Sequence, residues 1–246
     1  MFSFFKKKER YTDTNLTYSS IAVDMHSHVL PGIDDGAQNP QESIYLIRKM
    51  MEAGITKIIA TPHIMADYYK NTAESINGAL SILKEALVQE QIEIEIEAAA
   101  EHYFDETFED RINNHKLMII GENYVLFEFS FISPPPNAFP VIQRLIQLGH
   151  KPILAHPERY SYLDVDQIRT YRDWGCCLQL NTISLTGYYG KTAQKTAEAL
   201  IDNQLVDFIS SDMHHPKHAD AFKYALRLPY VHRLLTDYPL KNILLK

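Results

Sequence analysis

Short apolar runs alternate with longer stretches of helical periodicity along most of the chain. Runs rich in apolar and β-branched residues predict seven strands, at residues 21–26, 57–63, 92–102, 124–130, 151–156, 177–184 and 206–212. Several are almost continuously apolar, which is typical of parallel strands covered on both faces. Between them, the periodicity predicts six helices, at residues 40–53, 72–90, 137–148, 165–174, 191–203 and 219–235.

Local signals agree with these helix boundaries. Asn39 precedes Pro40, which places a capping residue before a proline at the first helical position. Gly54, Gly149 and Gly175 each lie just after a predicted helix. Strands that alternate with helical crossovers predict an α/β fold, either a parallel barrel or a doubly wound sheet. In both folds, ligands bind at the carboxyl ends of the strands.

Six of the seven predicted strands carry histidine or carboxylate side chains at or near their carboxyl ends. These are Asp24, His26 and His28 with Asp34 and Asp35 in the following loop, then His63, Glu101 with His102, Glu128, His156 with Glu158, and Asp212 with His214. Buried charges must be paired or bound to metal. A shared metal site at one end of the sheet therefore explains the pattern better than six independent core residues.

The spacing of these residues suits metal binding. In an extended strand, residues two apart point to the same face, so His26 and His28 can reach one ion together, as can Asp212 and His214. Imidazole and carboxylate ligands suit zinc, manganese or iron, and a carboxylate such as Glu101 can bridge two ions. About nine candidate ligands exceed the coordination of one ion, so we expect two or three divalent ions.

Composition and net charge limit the classes of protein to which the chain can belong. The 246 residues include no linker-like or low-complexity tract, so residues 1–246 are predicted to form a single domain. The net charge of −7 argues against nucleic-acid binding. It would also repel a phosphate substrate, unless bound cations reverse the local field. The two cysteines are adjacent, which argues against a disulfide framework and fits a reducing cytoplasm.

The amino terminus reads MFSFFKKKER, and its apolar part is too short and stands before the charges, unlike a signal peptide. No apolar run is long enough for a membrane span. We expect residues 1–20 to form a flexible or peripheral segment, whose Phe and Lys residues could contact an anionic membrane surface or a partner.

The motif Asp-x-His-x-His, followed in order by His, Glu, His and Asp-x-His at later strand ends, resembles the PHP (polymerase and histidinol phosphatase) superfamily. The strings DMHSHVLPGIDDGAQNPQES, ATPHI, EAAAEHYF, LFEFS, LAHPERY and SSDMHH are more specific. They resemble the PHP-type bacterial tyrosine-protein phosphatases found with capsular and exopolysaccharide genes, from about residue 21 to residue 236.

The resemblance implies a distorted seven-stranded (β/α) barrel and a trinuclear centre, with manganese as the expected metal and iron or zinc as alternatives. The ligands that it implies are His26, His28, Asp35, His63, Glu101, Glu128, His156, Asp212 and His214. His26 and His28 would hold the first ion with Glu101 and Asp212. Glu101 would bridge to a second ion near His156, and the remaining four would complete the second and third ions.

The resemblance also implies a substrate site. Arg159, in the string His-Pro-Glu-Arg-Tyr, would grip the phosphate. The family pattern has an arginine after Asp-x-His, whereas here no arginine occurs until Arg227, and Lys217 is the candidate replacement. Lysine would act only as a point charge, without the fork of a guanidinium.

The predicted reaction is in-line attack on phosphotyrosine by a metal-bound hydroxide, with Asp35, Asp212 or His214 as acid for the leaving oxygen. The expected substrate is a cytoplasmic phosphotyrosine protein, the tail of a bacterial tyrosine kinase of polysaccharide synthesis. Tyr188 and Tyr189 are candidates to stack on the aryl ring. A homo-oligomer is a further expectation.

Other functions compete with this one. A PHP enzyme could instead hydrolyse a small phosphomonoester such as histidinol phosphate, or a phosphodiester. A non-catalytic partner of a tyrosine kinase could keep metal for structure alone. A cysteine-dependent phosphatase is excluded, because neither a glycine-rich cradle nor an arginine follows Cys176 and Cys177.

Overall fold

The structure, a computed structural model, describes residues 15–246, so the predicted contact of the amino-terminal tip with a membrane or partner lies outside the described residues. Residues 15–246 form nine short strands: β1 (Val23–Asp24), β2 (Lys57–Ala60), β3 (His63–Ile64), β4 (Glu95–Ala98), β5 (Glu101–Tyr103), β6 (Tyr124–Glu128), β7 (Lys151–Ala155), β8 (Cys177–Asn181) and β9 (Phe208–Ser210). The α-helices are α1 (Pro40–Glu52), α2 (Ala73–Gln89), α3 (Phe108–Asn113), α4 (Ala138–Gln147), α5 (Val165–Asp173), α6 (Lys191–Asp202), α7 (Pro216–Ala225) and α8 (Pro229–Thr236).

All paired strands are parallel, in two sheets with the orders β1-β2-β4 and β3-β5-β6-β7-β8-β9. Two of the seven predicted strands are therefore each divided, because the chain passes from one sheet to the other between β2 and β3 and between β4 and β5. In the first case Pro62, which has no N–H to donate, lies at the break.

The first and last strands meet at their carboxyl ends. The His28 N–H donates to the Met213 carbonyl oxygen at 2.8 Å, and the Asp212 N–H donates to the His26 carbonyl oxygen at 2.9 Å. Ser27 and Met213 form a parallel bridge between these segments. The strands thus have the predicted distorted β/α barrel arrangement, and their carboxyl ends lie on one side of it.

Successive side chains along a strand point to opposite faces, and this alternation divides the apolar side chains between two clusters. Ile59, Ala99, Leu126 and Phe208 belong to a small cluster inside the barrel, whereas neighbours such as Phe127 pack in the larger cluster under the helices. Residues two or four positions further along from the interior set are His63, Glu101, Glu128 and Asp212. The inward face is therefore apolar deep in the barrel and polar at its carboxyl end.

The helices follow the predicted periodicity, with two corrections: α3 was not predicted, and the last predicted helix is divided. The Asn39 side chain accepts a hydrogen bond from the Glu42 N–H and caps α1, as predicted. The predicted helix at 219–235 is wrong: α7 ends at Ala225 and α8 begins at Pro229. Proline cannot continue a helix from the preceding turn, because it lacks the N–H and its ring displaces the backbone.

The predicted boundary of the peripheral segment, at residue 20, is wrong, because the last residues of this range belong to the fold. Tyr18 is wholly buried, its ring stacks on Phe222 with 4.0 Å between centroids, and its hydroxyl donates to the Phe222 carbonyl oxygen. A peripheral segment, where present, must end before Tyr18. Among residues 15–246, no helix combines the length and apolar character needed to cross a membrane.

Candidate metal centre

Nine histidine and carboxylate side chains meet at the carboxyl ends of the strands, and they are the nine predicted ligands. They are His26, His28, Asp35, His63, Glu101, Glu128, His156, Asp212 and His214. Most of them are buried, whereas the Asp35 side chain is 52% exposed. So many ionisable groups in one buried place need either mutual neutralisation or bound cations.

Glu101 lies at the centre of this cluster. Its Oε2 is 3.3 Å from His26 Nε2, 3.4 Å from His28 Nε2 and 3.1 Å from His63 Nδ1. Its Oε1 is 3.1 Å from His156 Nε2. Ligand atoms bound at about 2.1 Å from one ion lie roughly 3.0–3.4 Å apart in octahedral or tetrahedral geometry. The observed spacings therefore fit ligands arranged around shared cations.

The contacts also fit metal better than they fit hydrogen bonding. His26 Nε2 faces His28 Nε2 at 3.2 Å, and two neutral imidazoles can share such a contact only if one nitrogen carries hydrogen. His63 Nδ1 is buried and makes no hydrogen bond within residues 15–246, although Glu101 and Glu128 oxygens lie within 3.2 Å. A nitrogen facing carboxylates without a hydrogen-bonding geometry is suited to a cation placed between them.

Three groups of side chains place their ligand atoms within 4.8 Å of one another. The groups are His26, His28 and Glu101; His63, Glu101 and Glu128; and His28, Asp35, His63 and His214. Asp212 Oδ1 lies 3.4 Å from His26 Nε2, which adds it to the first group. Since Glu101 is shared by two groups, it has the position of a bridging ligand.

The pKa values of the ionisable side chains in the cluster depend strongly on one another. Burial would raise the pKa of Glu101, but the charges of His26 and His63 hold it well below its usual range. Burial and then the charge of Glu101 raise the pKa of Glu128 to about 8. Burial would lower the pKa of His26, but Glu101 and Asp212 raise it to about 9. Without cations, imidazoles whose pKa is raised in this way, such as His26, carry positive charge opposite the carboxylates, and metal binding would displace those protons.

Asp34, which was not among the predicted site residues, orients His28. Its Oδ2 lies 2.7 Å from His28 Nδ1, and its Oδ1 accepts a hydrogen bond from the Gly36 N–H at 3.0 Å. A Cβ on Gly36 would lie 2.0 Å from the His28 carbonyl oxygen, so only glycine fits there. The sequence signal was the pair Asp34-Asp35, of which one residue supports a ligand and the other lies at the site. Since Asp34 occupies Nδ1, His28 offers a metal only Nε2.

We expect Asp34→Asn to weaken metal binding about 10- to 100-fold, because a partner that fixes a ligand histidine typically contributes this much to metal affinity. Metal titration of the stripped protein measures the change, with the exposed Asp110→Asn as a matched control. Unchanged affinity in Asp34→Asn would show that His28 does not depend on this partner.

The sixth predicted strand carries no histidine or carboxylate at its end, and its role at the site was missed. On β8, Gln179 Oε1 lies 3.0 Å from His26 Nδ1, and Asn181 Nδ2 donates to Asp212 Oδ2 at 2.8 Å. The signal was the alternation of polar residues in Cys-Leu-Gln-Leu-Asn, which places both amides on the inward face. This strand supplies hydrogen bonds that orient candidate ligands.

Two candidate ligands have left-handed backbone conformations. His156 has φ 31° and Asp212 has φ 49°, and non-glycine residues in this region are strained and concentrate at functional sites. Asp24 stabilises the left-handed conformation at Asp212, because its carboxylate accepts hydrogen bonds from the preceding residue. The donors are the Ser211 N–H at 2.7 Å and the Ser211 hydroxyl at 3.0 Å. Asp24 therefore holds the backbone beside Asp212.

Arg159 lies at the edge of the cluster in a fixed position. Its Nη1 is 2.8 Å from Asp212 Oδ2, which uses one of its five N–H donors. The guanidinium carbon lies 4.6 Å from the Phe131 ring centroid and 4.2 Å from that of Tyr189. The two aromatic rings and the carboxylate thus orient a cation that remains 20% exposed. Tyr189, predicted to stack on a substrate ring, instead contacts this guanidinium.

A cavity of about 360 Å³ opens above the cluster and includes Arg159 among its lining residues. Lys217 is exposed in the first turn of α7 and does not line the cavity, so the structure does not bring this predicted substrate residue to the site. His215 and His218, on either side of it in sequence, do line the cavity. The segment after Asp-x-His therefore presents two imidazoles to the cavity, and burial lowers the pKa of both. The thiol of Cys176 is buried and lies outside the cavity, consistent with the excluded cysteine mechanism.

The sequence of this chain is similar to those of known proteins over most of its length. Residues 22–236 match the family described as "Capsular polysaccharide synthesis, CpsB/CapC". The chain is 31% identical over 198 residues to the tyrosine-protein phosphatase YwqE of Bacillus subtilis, covering 79% of this chain and 78% of that protein. It is 26% identical over 201 residues to the tyrosine-protein phosphatase CpsB of Streptococcus pneumoniae, covering 78% and 83%.

The fold matches a solved structure with a TM-score of 0.79 and 27% identity, covering 90% of each chain. That structure belongs to a crystallographic study of YwqE from Bacillus subtilis and CpsB from Streptococcus pneumoniae, described as unique metal-dependent tyrosine phosphatases.

Proposed function

The chain belongs to the CpsB/CapC family of capsular polysaccharide synthesis, and from this premise we propose that it is a metal-dependent tyrosine-protein phosphatase. The observation that carries the proposal is the cluster of nine histidine and carboxylate side chains beside Arg159, at the base of an open cavity. The cluster binds divalent metal, the cavity admits a side chain, and Arg159 receives the phosphate. The relatives favour this function over hydrolysis of a small phosphomonoester or a phosphodiester.

We propose two or three ions in this cluster, with manganese as the resident metal. The donor set of imidazole and carboxylate without thiolate supports divalent first-row metals, and the choice of manganese rests on the family resemblance. Bound divalent cations supply the charge that lowers the pKa of water and neutralises the phosphoryl oxygens. His26, His28, Glu101 and Asp212 would hold the first ion, and Glu101 would bridge to the second.

Arg159 contributes binding and orientation of the phosphate. Its position is set before substrate arrives, because Asp212, Phe131 and Tyr189 already contact the guanidinium. A guanidinium in a fixed orientation can donate two parallel hydrogen bonds to a phosphoryl group. Asp212 engages Arg159 and Asn181 through Oδ2 and faces the histidines through Oδ1, so both its oxygens are occupied.

Of the three predicted acids, Asp35 and His214 remain candidates for protonating the leaving oxygen. Both line the cavity, and Asp35 Oδ1 lies 3.6 Å from His214 Nε2. Phenolate is a stable leaving group, so a phosphotyrosine substrate depends on this acid less than an alkyl phosphate does. This chemistry favours aryl phosphates as substrates.

We further propose that the physiological substrate is a tyrosine kinase of the capsule or exopolysaccharide system, carrying phosphotyrosine in an extended tail. The family's role in capsular polysaccharide synthesis supports this choice, and the open cavity admits a side chain presented by a polypeptide. The cytoplasmic location and the homo-oligomer remain predictions.

Removal of the metal is expected to abolish activity. EDTA-stripped protein should lose essentially all hydrolysis of p-nitrophenyl phosphate and phosphotyrosine peptides, and added Mn²⁺ should restore it. The melting temperature should also rise on metal addition, since a ligand at about 1,000 times its Kd stabilises the folded state by about 4 kcal/mol. Full activity after verified metal removal would contradict the proposed function, and so would phosphotyrosine being the poorest substrate in a panel of phosphomonoesters.

A further inference from the structure

A second cavity lies beside the metal centre on the same side of the barrel. Its volume is about 570 Å³, which is within the range of cavities that hold drug-sized molecules. Met65, Asp67, Tyr68, Tyr103, Glu106 and Pro135 are among the residues that line it. We call this cavity the flanking groove.

The flanking groove is continuous with the metal centre through three strands. Met65 lies two residues after His63, Tyr103 two residues after Glu101, and Ser130 two residues after Glu128. Two residues of extended chain span about 7 Å. A polypeptide whose phosphotyrosine enters the metal centre therefore has the flanking groove within reach of its neighbouring residues.

The walls of the flanking groove are held in place by the fold. Asp105 Oδ2 accepts a hydrogen bond from the Ala66 N–H at 2.8 Å, which ties the loop after β3 to the loop after β5. Asp105 Oδ1 lies 3.3 Å from Arg111 Nη2. On the other side, the Ser130 carbonyl oxygen accepts a hydrogen bond from the Tyr162 hydroxyl at 2.7 Å, and the prolines at 134–136 stiffen the loop that follows.

The surface of the flanking groove is acidic and aromatic. Asp67 and Glu106 are exposed, and no lysine or arginine of residues 15–246 is among the residues that line it. Tyr68, which also lines the groove, is 79% exposed. An exposed aromatic ring beside carboxylates is complementary to a side chain with an aliphatic stem and a positive end.

We propose that the flanking groove binds the substrate polypeptide next to phosphotyrosine and favours lysine or arginine there. An extended chain spans up to about 3.6 Å per residue, so the favoured residue lies within about four positions of phosphotyrosine. The proposal rests on the proposed function and adds a sequence preference to it. The negative charge of the groove attracts the basic residue, while Arg159 and the metal centre attract the phosphate.

The test compares phosphotyrosine peptides that differ only in having Lys or Glu at these flanking positions. The wild-type protein should hydrolyse the Lys peptide with a kcat/KM about two- to five-fold higher per exchanged charge, and added salt should reduce the difference. In the double variant Asp67→Asn, Glu106→Gln, the preference should disappear, while turnover of free phosphotyrosine stays within about twofold of wild type. Glu122→Gln, at the opposite end of β6, is the matched control and should keep the preference.

Tyr68→Ala gives an independent measurement. It should lower kcat/KM for the Lys peptide several-fold and leave free phosphotyrosine unchanged, whereas the exposed Tyr45→Ala should alter neither. Equal hydrolysis of Lys and Glu peptides by wild type, with normal turnover of free phosphotyrosine, would overturn the flanking groove alone. Failure of the metal-loaded protein to hydrolyse any phosphotyrosine compound would overturn the proposed function as well.

Discussion

Glu101→Gln is expected to lower kcat/KM by about 10³-fold and to remove at least one bound ion. Glu101 faces four histidines within 3.4 Å through its two oxygens, and no other carboxylate among the described residues faces as many candidate-ligand histidines. Glutamine has nearly the same shape but carries no charge, and one of its two oxygen positions becomes an NH₂ donor that cannot bind metal. The variant therefore loses the bridging carboxylate, while the volume of the side chain stays nearly the same.

Metal analysis and steady-state kinetics on the same preparation test this prediction. The metal-free form of Glu101→Gln should melt below that of wild type, because buried imidazoles lose their carboxylate partner. The rise in melting temperature on metal addition should be much smaller in the variant. Glu97→Gln, on the exposed face of β4, is the control and should bind metal normally. Full metal content together with near-normal turnover in Glu101→Gln would show that Glu101 does not bridge ions.

Arg159→Ala is expected to lower kcat/KM by about 10²- to 10³-fold, with the full metal content retained. Loss of one donor aimed at developing charge typically has an effect of this size. Arg159 contacts Asp212 but is not a candidate ligand, so the ions should remain bound. Arg159→Lys should recover only a small part of the activity, because lysine has neither the fork nor the flat surface that contacts Phe131 and Tyr189.

Kinetics with a phosphotyrosine peptide, paired with metal analysis, separate phosphate binding from loss of ions. The exposed Arg169→Ala is the control. A decrease of less than threefold in metal-loaded Arg159→Ala would remove this residue from phosphate binding. The alternative of a non-catalytic partner of a tyrosine kinase would be favoured by kinase binding without turnover, with Arg159→Ala leaving any weak activity unchanged.

Much of the metal centre could be predicted from the sequence because strand geometry is local. Residues two apart on a strand share a face, and the carboxyl ends of parallel strands meet on one side of the sheet. His63, Glu101, Glu128 and Asp212 could therefore be grouped from their places at the ends of apolar runs, and the structure brings them together. The start of α1 at Pro40 could likewise be predicted, because a capping residue directly precedes the proline.

The supporting residues could not be found in the same way, because their partners are distant in sequence. Gln179 contacts His26 across 153 positions, and Asp24 contacts Ser211 across 187. The side-chain type gives no guide here, because Gln179 is not a typical ligand and Asp24 is a carboxylate like the candidate ligands but holds the backbone at Ser211 instead. The position of Lys217 likewise depends on the fold, since its side chain is exposed on the first turn of α7 and is not among the residues that line the cavity.

The sequence by itself determined the strand and helix order, the ligand types and the end of the barrel where they meet, since these depend on short-range periodicity and chain direction. Only the tertiary structure decided how strands at 57–63 and 92–102 divide between two sheets, how Asp34 leaves His28 a single free nitrogen, and how Phe131 and Tyr189 fix Arg159. These features depend on side chains from separate segments approaching within a few ångströms. That proximity is set by the packing of the whole barrel, not by any local pattern.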